Sequence, residues 1–197
     1  MANFDSVKDS GKRQEFSTGS VRDTDEGKGA PSLVAWEAFL KVKEYKHANP
    51  IFVMLVAEPL ISHIETLLWK YSRFCSERND NEAILLRAID LSCQLIAAKE
   101  NGNYTDAYRK VGIHYANGAK KYKKNNWRKG QFVSRYFDSA MRHLWAEQDK
   151  KVDEDHSAAL LWNLIAIVQT KIDVEKEILS KDLDDFPYLI NDIQKKD

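Results

Sequence analysis

The stretch DHSAALLWNLIAIVQTKIDVEKEIL, Asp155–Leu179, decides the fold. It reads as one long helix, because Asp153 or Asp155 can accept hydrogen bonds from the free N–H groups of its first turn and the apolar run Ala158 to Val168 follows at once. Outward from it the same helical spacing recurs. Before it, Tyr136, Phe137, Met141, Leu144 and Trp145 predict a helix over about Ser134 to Asp149, joined through the charged turn Lys150 to Asp155. Tyr108, Val111 and Tyr115 predict another, opened by Thr105 after the stop signal Asn101-Gly102-Asn103. Further back, Ala83 to Ala98 and Ile51 to Phe74 carry apolar residues at helical intervals, with Pro59 in a first turn or at a break. A helix capped by Ser32 and ended by Asn49-Pro50 precedes them. No period-two strand pattern appears anywhere, so the expected fold class is all-α, a helical bundle.

Composition divides the chain into three parts. Residues 1–31 are rich in Gly, Ser, Asp and Lys and read as a loop-like arm. Residues 32–180 form the helical domain, and 181–197 a tail in which Phe186, Tyr188, Leu189 and Ile193 are available to dock. At 197 residues and 43% hydrophobic content there is enough material for one real core. Thirty basic and thirty acidic residues cancel, so no global charge points to duplex nucleic acid or an anionic membrane. The longest apolar run, Ile51 to Ala57, is far short of the ~18 residues of a membrane span. Cys75 and Cys93 lack metal-type spacing and are expected as free thiols. With no secretory signal read at the N-terminus, a soluble cytoplasmic protein is expected.

Polar chemistry concentrates between Gly118 and Asn163. Buried polar groups cost free energy unless paired, so such a concentration inside a helical pattern suggests a site. In the basic run Lys120 to Lys129, Tyr122 and Trp127 stand among the cations. Rings between cations can stack a base while Lys or Arg holds phosphates; the plainer reading is a solvated loop. Asp138 and Arg142 are four apart, as are His143 and Glu147. Either these are surface ion pairs worth a few tenths of a kcal/mol, or His143 with a carboxylate holds a metal or activates water while Arg142 meets a phosphate. Asn163 sits in an apolar run and needs partners there. His47, His63 and His114 have no partner at a telling spacing and read as structural.

Several of these motifs, in order, resemble a phage protein family, the N-terminal domain of dATP/dGTP diphosphohydrolases. They are Gly118-Ala119-Lys120-Lys121-Tyr122, Asn126-Trp127-x-Lys129-Gly130, Asp138-Ser139-Ala140-x-Arg142-His143, and an acidic turn with His156 and then Trp162-Asn163. In the arm, Thr18-Gly19-Ser20-Val21-Arg22-Asp23 and Gly27-Lys28-Gly29 continue the likeness. Relative to the compact form of the family, about 42–103 looks like an inserted helical segment. The resemblance implies that the arm is a functional loop folding over the site, with Arg22 and Lys28 supplying charge.

It also implies a purine (deoxy)nucleoside triphosphate pyrophosphohydrolase. Arg22, Lys28, Lys120, Asn126, Trp127, Lys129, Arg142 and Asn163 would bind substrate. His143 and Glu147 would be catalytic, and Asp138, His143, Asp153 and His156 would serve a divalent metal, Mg or Mn. MazG-like all-α pyrophosphatases hold magnesium on paired Glu-x-x-Glu helices, and this chain contains no Glu-x-x-Glu. That keeps open an alternative of a different class, a non-catalytic binder that sequesters a host signalling nucleotide in an anti-defence role. A protein–protein inhibitor using the inserted helices is a third reading, although core packing or a homo-oligomer explains their amphipathic faces more simply.

Overall fold

The computed structural model describes residues 13–15, 21–23, 30–48, 57–73, 78–100 and 102–186. Among them are six α-helices: α1 (Trp36–Ala48), α2 (Ala57–Arg73), α3 (Arg78–Lys99), α4 (Thr105–Tyr122), α5 (Val133–Gln148) and α6 (His156–Glu175). The all-α bundle expected from periodicity is the fold observed.

α6 is its axis. Apart from Trp162, Lys171, Asp173 and Glu175, every residue of α6 is buried. A helix apolar on all sides belongs inside a bundle, and α6 packs against α5, α3, α4 and α1. It is also the one described helix long and apolar enough to cross a membrane, and its burial in this core accounts for that apolarity. Asp155 caps it as expected, its side chain accepting from the Ala158 N–H at 3.1 Å. The helix stops at Glu175, short of Leu179, where the Lys176 and Glu177 N–H groups close the last turn onto Ile172 and Val174.

Two expectations need correction. The arm is not loop throughout: β1 (Arg13–Glu15) and β2 (Val21–Asp23) pair antiparallel, Gln14 opposite Arg22. Three-residue strands of mostly polar side chains carry no alternation to detect. The first helix does not start at Ser32; Pro31–Leu33 is a 3₁₀ turn, Val34 is extended, and α1 begins at Trp36. Pro59 sits in the first turn of α2, where a missing N–H costs nothing.

Long-range contacts fix the ends of the segment that carries polar chemistry. Asp185 bonds the Ser134 N–H at 2.8 Å and hydroxyl at 2.6 Å, satisfying the open N-terminus of α5 from the far end of the chain. Phe186 stacks near Phe137 and Tyr71, with centroids 4.6 and 5.9 Å away, so the tail docks as far as it is described. Tyr188, Leu189 and Ile193 lie outside the described residues, as does Cys75; Cys93 is buried and free of a disulfide. The chain leaving the arm lies on α4, where the Ala30 N–H donates to the Gly112 carbonyl at 3.0 Å.

Candidate functional site

Three helices and one turn enclose a cavity of about 400 Å³, a size typical of small-molecule sites. α4 contributes His114, Tyr115, Gly118, Ala119 and Tyr122, a stripe at intervals of three and four residues. α5 contributes Arg135, Tyr136, Ser139 and Arg142 at the same helical intervals, and α6 contributes Trp162 and Asn163. The chain leaves α4 through Lys123 and Asn125, both at positive φ, and a 3₁₀ turn Asn126–Lys129 brings Trp127 back over Tyr115. Asn tolerates the left-handed conformation better than most residues, which suits Asn125 to this reversal.

The inner wall is aromatic. Trp162 meets Tyr115 and Tyr136 edge-on at 5.9 and 5.7 Å, and Tyr115 meets Trp127 at 5.7 Å. His114 lies 5.6 Å from Trp162. The Trp127 indole N–H is buried with no acceptor among the described residues, an unmet donor in the wall. Arg128 covers the Trp127 ring at 5.0 Å. Asn163 donates its amide to the Ala159 carbonyl at 2.8 Å, which leaves its side-chain carbonyl as an acceptor for a ligand. The charged lining residues are Lys123, Arg135 and Arg142, and no carboxylate among the described residues lines the cavity. Rings below and cations at the mouth fit an anionic ligand with a flat apolar part.

Beside this cavity, where α5 meets the start of α6, His143 and His156 place their Nδ1 atoms 3.2 Å apart. Glu154 Oε1 lies 3.4 Å from the first and 3.6 Å from the second. On the far side of the His156 ring, Nε2 is 2.9 Å from Asp153 Oδ1. Burial holds His143 and His114 below the ordinary imidazole pKa, outweighing the opposing pull of the Glu154 charge on each. The hydrogen bond from His156 holds the Asp153 carboxyl below the usual carboxylate range. For Asp155, burial opposes ionisation, but the Lys110 ammonium and the Ala158 N–H together keep its carboxyl low. Burial alone pushes the Tyr136 phenol up to about 12.

The structure therefore gathers the expected residues into two groups. Asn126, Trp127, Arg142 and Asn163 share the cavity. His143 and His156 share the polar cluster, with Asp153 behind His156. Lys120 and Lys129 are exposed and outside the cavity lining. Asp138 is exposed on α5 and outside the cluster. Glu147 faces elsewhere: it pairs with Lys99 and accepts from the Ser157 hydroxyl at 2.7 Å, so the i,i+4 face-sharing with His143 is not realised as a contact. Arg22 falls in β2 without a described side chain, and Lys28 lies outside the described residues.

Beyond the expected site residues, the cavity also takes in Arg135, Ser139 and His114, and the cluster takes in Glu154. Arg135, Ser139 and Arg142 repeat at four and three residues, a legible stripe. For Glu154 and His114 no local signal exists.

Residues 90–180 match the family model described as dATP/dGTP diphosphohydrolase, N-terminal. Over that segment the chain is similar to this family. The segment holds every cavity-lining residue except Leu33 and the whole His143–Glu154–His156 cluster. The diphosphohydrolase match begins within α3, at Asp90, and leaves out the arm, α1 and α2. No curated protein and no solved structure matches the chain.

Proposed function

We propose that this protein is a purine deoxynucleoside triphosphate pyrophosphohydrolase whose substrate enters the cavity between α4, α5 and α6. The supporting observation is the lining itself: an aromatic floor of Tyr115, Trp127, Tyr136 and Trp162 under three cations, with no carboxylate among the described lining residues. The base packs against the rings, where each stacked base contributes about 1–3 kcal/mol. Asn163 and the Trp127 N–H supply polar contacts that tell a purine edge from a hydrocarbon. Arg135 and Arg142 hold phosphate oxygens as charge-assisted forks.

Arg142 lines the cavity and His143 belongs to the polar cluster, so α5 carries a residue of each. The cluster offers two imidazole nitrogens and a carboxylate that can converge on one divalent ion, Mg or Mn in the sequence expectation. Such an ion supplies charge neutralisation and lowers the pKa of water. The chain's own contribution is to orient the triphosphate and to keep His143 neutral near pH 7 by burial. Hydrolysis between the α and β phosphates then yields a monophosphate and pyrophosphate.

A second reading, binding without cleavage, rests on the same lining: a cavity wall whose described charges are all cationic suits plain anion capture. A pyrophosphate-release assay on dATP and dGTP separates the two. The hydrolase reading expects release by the wild-type protein and strong loss in Arg142→Ala and Trp127→Ala. No release from any purine nucleotide, with tight binding retained, contradicts it.

A further inference from the structure

The cluster at the α5–α6 junction specifies more than a divalent ion in general. We infer that His143 Nδ1, His156 Nδ1 and Glu154 Oε1 form a three-donor site for a transition metal ion such as Zn²⁺, Co²⁺ or Mn²⁺, selective against Mg²⁺, with Asp153 orienting His156. The inference deepens the proposed function at the same site, but it stands on geometry independent of any nucleotide.

The donor atoms are separated by 3.2, 3.4 and 3.6 Å. A tetrahedral ion with bonds of about 2.0–2.1 Å to nitrogen and oxygen has donor–donor edges of about 3.3 Å. The three atoms thus lie close to one face of such a tetrahedron, and the fourth corner is open to water or a ligand oxygen. An octahedral Mg²⁺ at about 2.0–2.1 Å requires edges near 3.0 Å and prefers oxygen throughout. Two imidazoles in three donors favour a borderline transition metal instead.

The hydrogen-bonding pattern points the same way. Asp153 accepts at His156 Nε2, 2.9 Å away, which places the proton on Nε2 and leaves the Nδ1 lone pair facing Glu154 and His143. A carboxylate on the far nitrogen is the usual orienting partner of a metal-bound histidine. Two Nδ1 atoms 3.2 Å apart, with a carboxylate oxygen beside both, need either a shared proton or a cation between them. His156 is only 5% exposed and held at the start of α6, so the ring cannot turn away cheaply. Glu154, at 48% exposure, leaves the open side toward solvent. Glu147 and Asp138, expected by sequence among the metal and catalytic groups, have no place in this set.

The test uses the untagged full chain, stripped with EDTA and dialysed, with no nucleotide present. Co²⁺ is titrated and followed by its visible d–d bands, then displaced with Zn²⁺. We expect one equivalent per chain with the intense bands of a low-coordinate site, full displacement by Zn²⁺, and none by a thousandfold excess of Mg²⁺. Glu154→Gln and His143→Ala should each weaken Co²⁺ binding at least tenfold, and Asp153→Asn about 10–100-fold. Because His156→Ala could disturb the start of α6, Glu154→Gln at the exposed turn is the deciding variant, with thermal melting as the check on folding. Pale octahedral spectra, displacement by comparable Mg²⁺, or undiminished binding in Glu154→Gln and His143→Ala each overturn the site. Nucleotide binding measured in EDTA reports on the cavity alone, so loss of one reading leaves the other visible.

Discussion

Substituting Gly118 by leucine should raise stability while closing the proposed nucleotide cavity. Gly118 lies inside α4 and lines the cavity, and a Cβ built there meets no heavy atom within 4 Å. The fold therefore has room for a side chain. Glycine in a helix interior is about 0.8–1 kcal/mol less favourable than alanine or leucine. For a protein of this size each kcal/mol shifts Tm by about 2–4 °C, so Gly118→Leu should melt a few degrees higher. The same side chain projects into a space of about 400 Å³, beside Tyr115 and Trp162. Displacing one stacked base forfeits about 1–3 kcal/mol, so affinity for dATP or dGTP should fall about five- to hundredfold. Differential scanning fluorimetry reads the first effect and calorimetric titration with a non-hydrolysable purine triphosphate the second. An unchanged affinity in a normally folded variant would refute the placement of the ligand between α4 and α6.

Three further outcomes are expected. Arg135→Ala and Arg142→Ala, both at exposed positions, should leave Tm unchanged. Each should weaken triphosphate binding about tenfold or more, from ~1.5–3 kcal/mol per charged hydrogen bond; a fall in Tm with intact affinity would assign them a structural role instead. Gly130→Ala should destabilise more than Gly102→Ala: both sit at positive φ, but only at Gly130 does the Cβ come within 2.6 Å of Leu183. Left-handed strain alone costs about 1–2 kcal/mol, and equal melting shifts would show that the Leu179–Leu183 packing carries no weight. Burial depresses the His114 pKa, so below about 6.5 the unfolded chain takes up a proton that the folded chain resists. Stability is full above that pH and lost as pH falls through the lower folded value. Urea titrations at pH 7.5 and 5.5 should show a shallower loss in His114→Gln than in the wild type, and equal losses contradict the assignment.

The helices were legible wherever a local rule sufficed. α6 announces itself by an apolar run, interrupted at Asn163 alone, behind a capping Asp155, and α5 by its amphipathic period. The cavity wall was legible in part, since Trp127 is an aromatic ring set among cations and Asn163 a polar residue inside an apolar run. What was hidden depends on chain segments meeting from far apart. His114 gains its meaning only from Trp162 across the bundle, and the start of α5 is completed by Asp185. In the run Asp153-Glu154-Asp155, the first acid orients His156, the second faces both histidines, and the third caps α6. Turn geometry divides these roles among three adjacent carboxylates, and composition does not encode it. The hairpin of β1 and β2 was invisible for a related reason, as polar three-residue strands have no hydrophobic face.

The central claim is tested most directly by product analysis. The protein is incubated with dATP, dGTP and a panel of other nucleotides, with manganese or with EDTA, and the mixture is resolved by liquid chromatography and mass spectrometry before and after denaturation. The account predicts metal-dependent appearance of the purine monophosphate together with pyrophosphate. An intact nucleotide, depleted from solution and recovered unchanged on denaturation, would contradict it and show that the cavity binds without cutting.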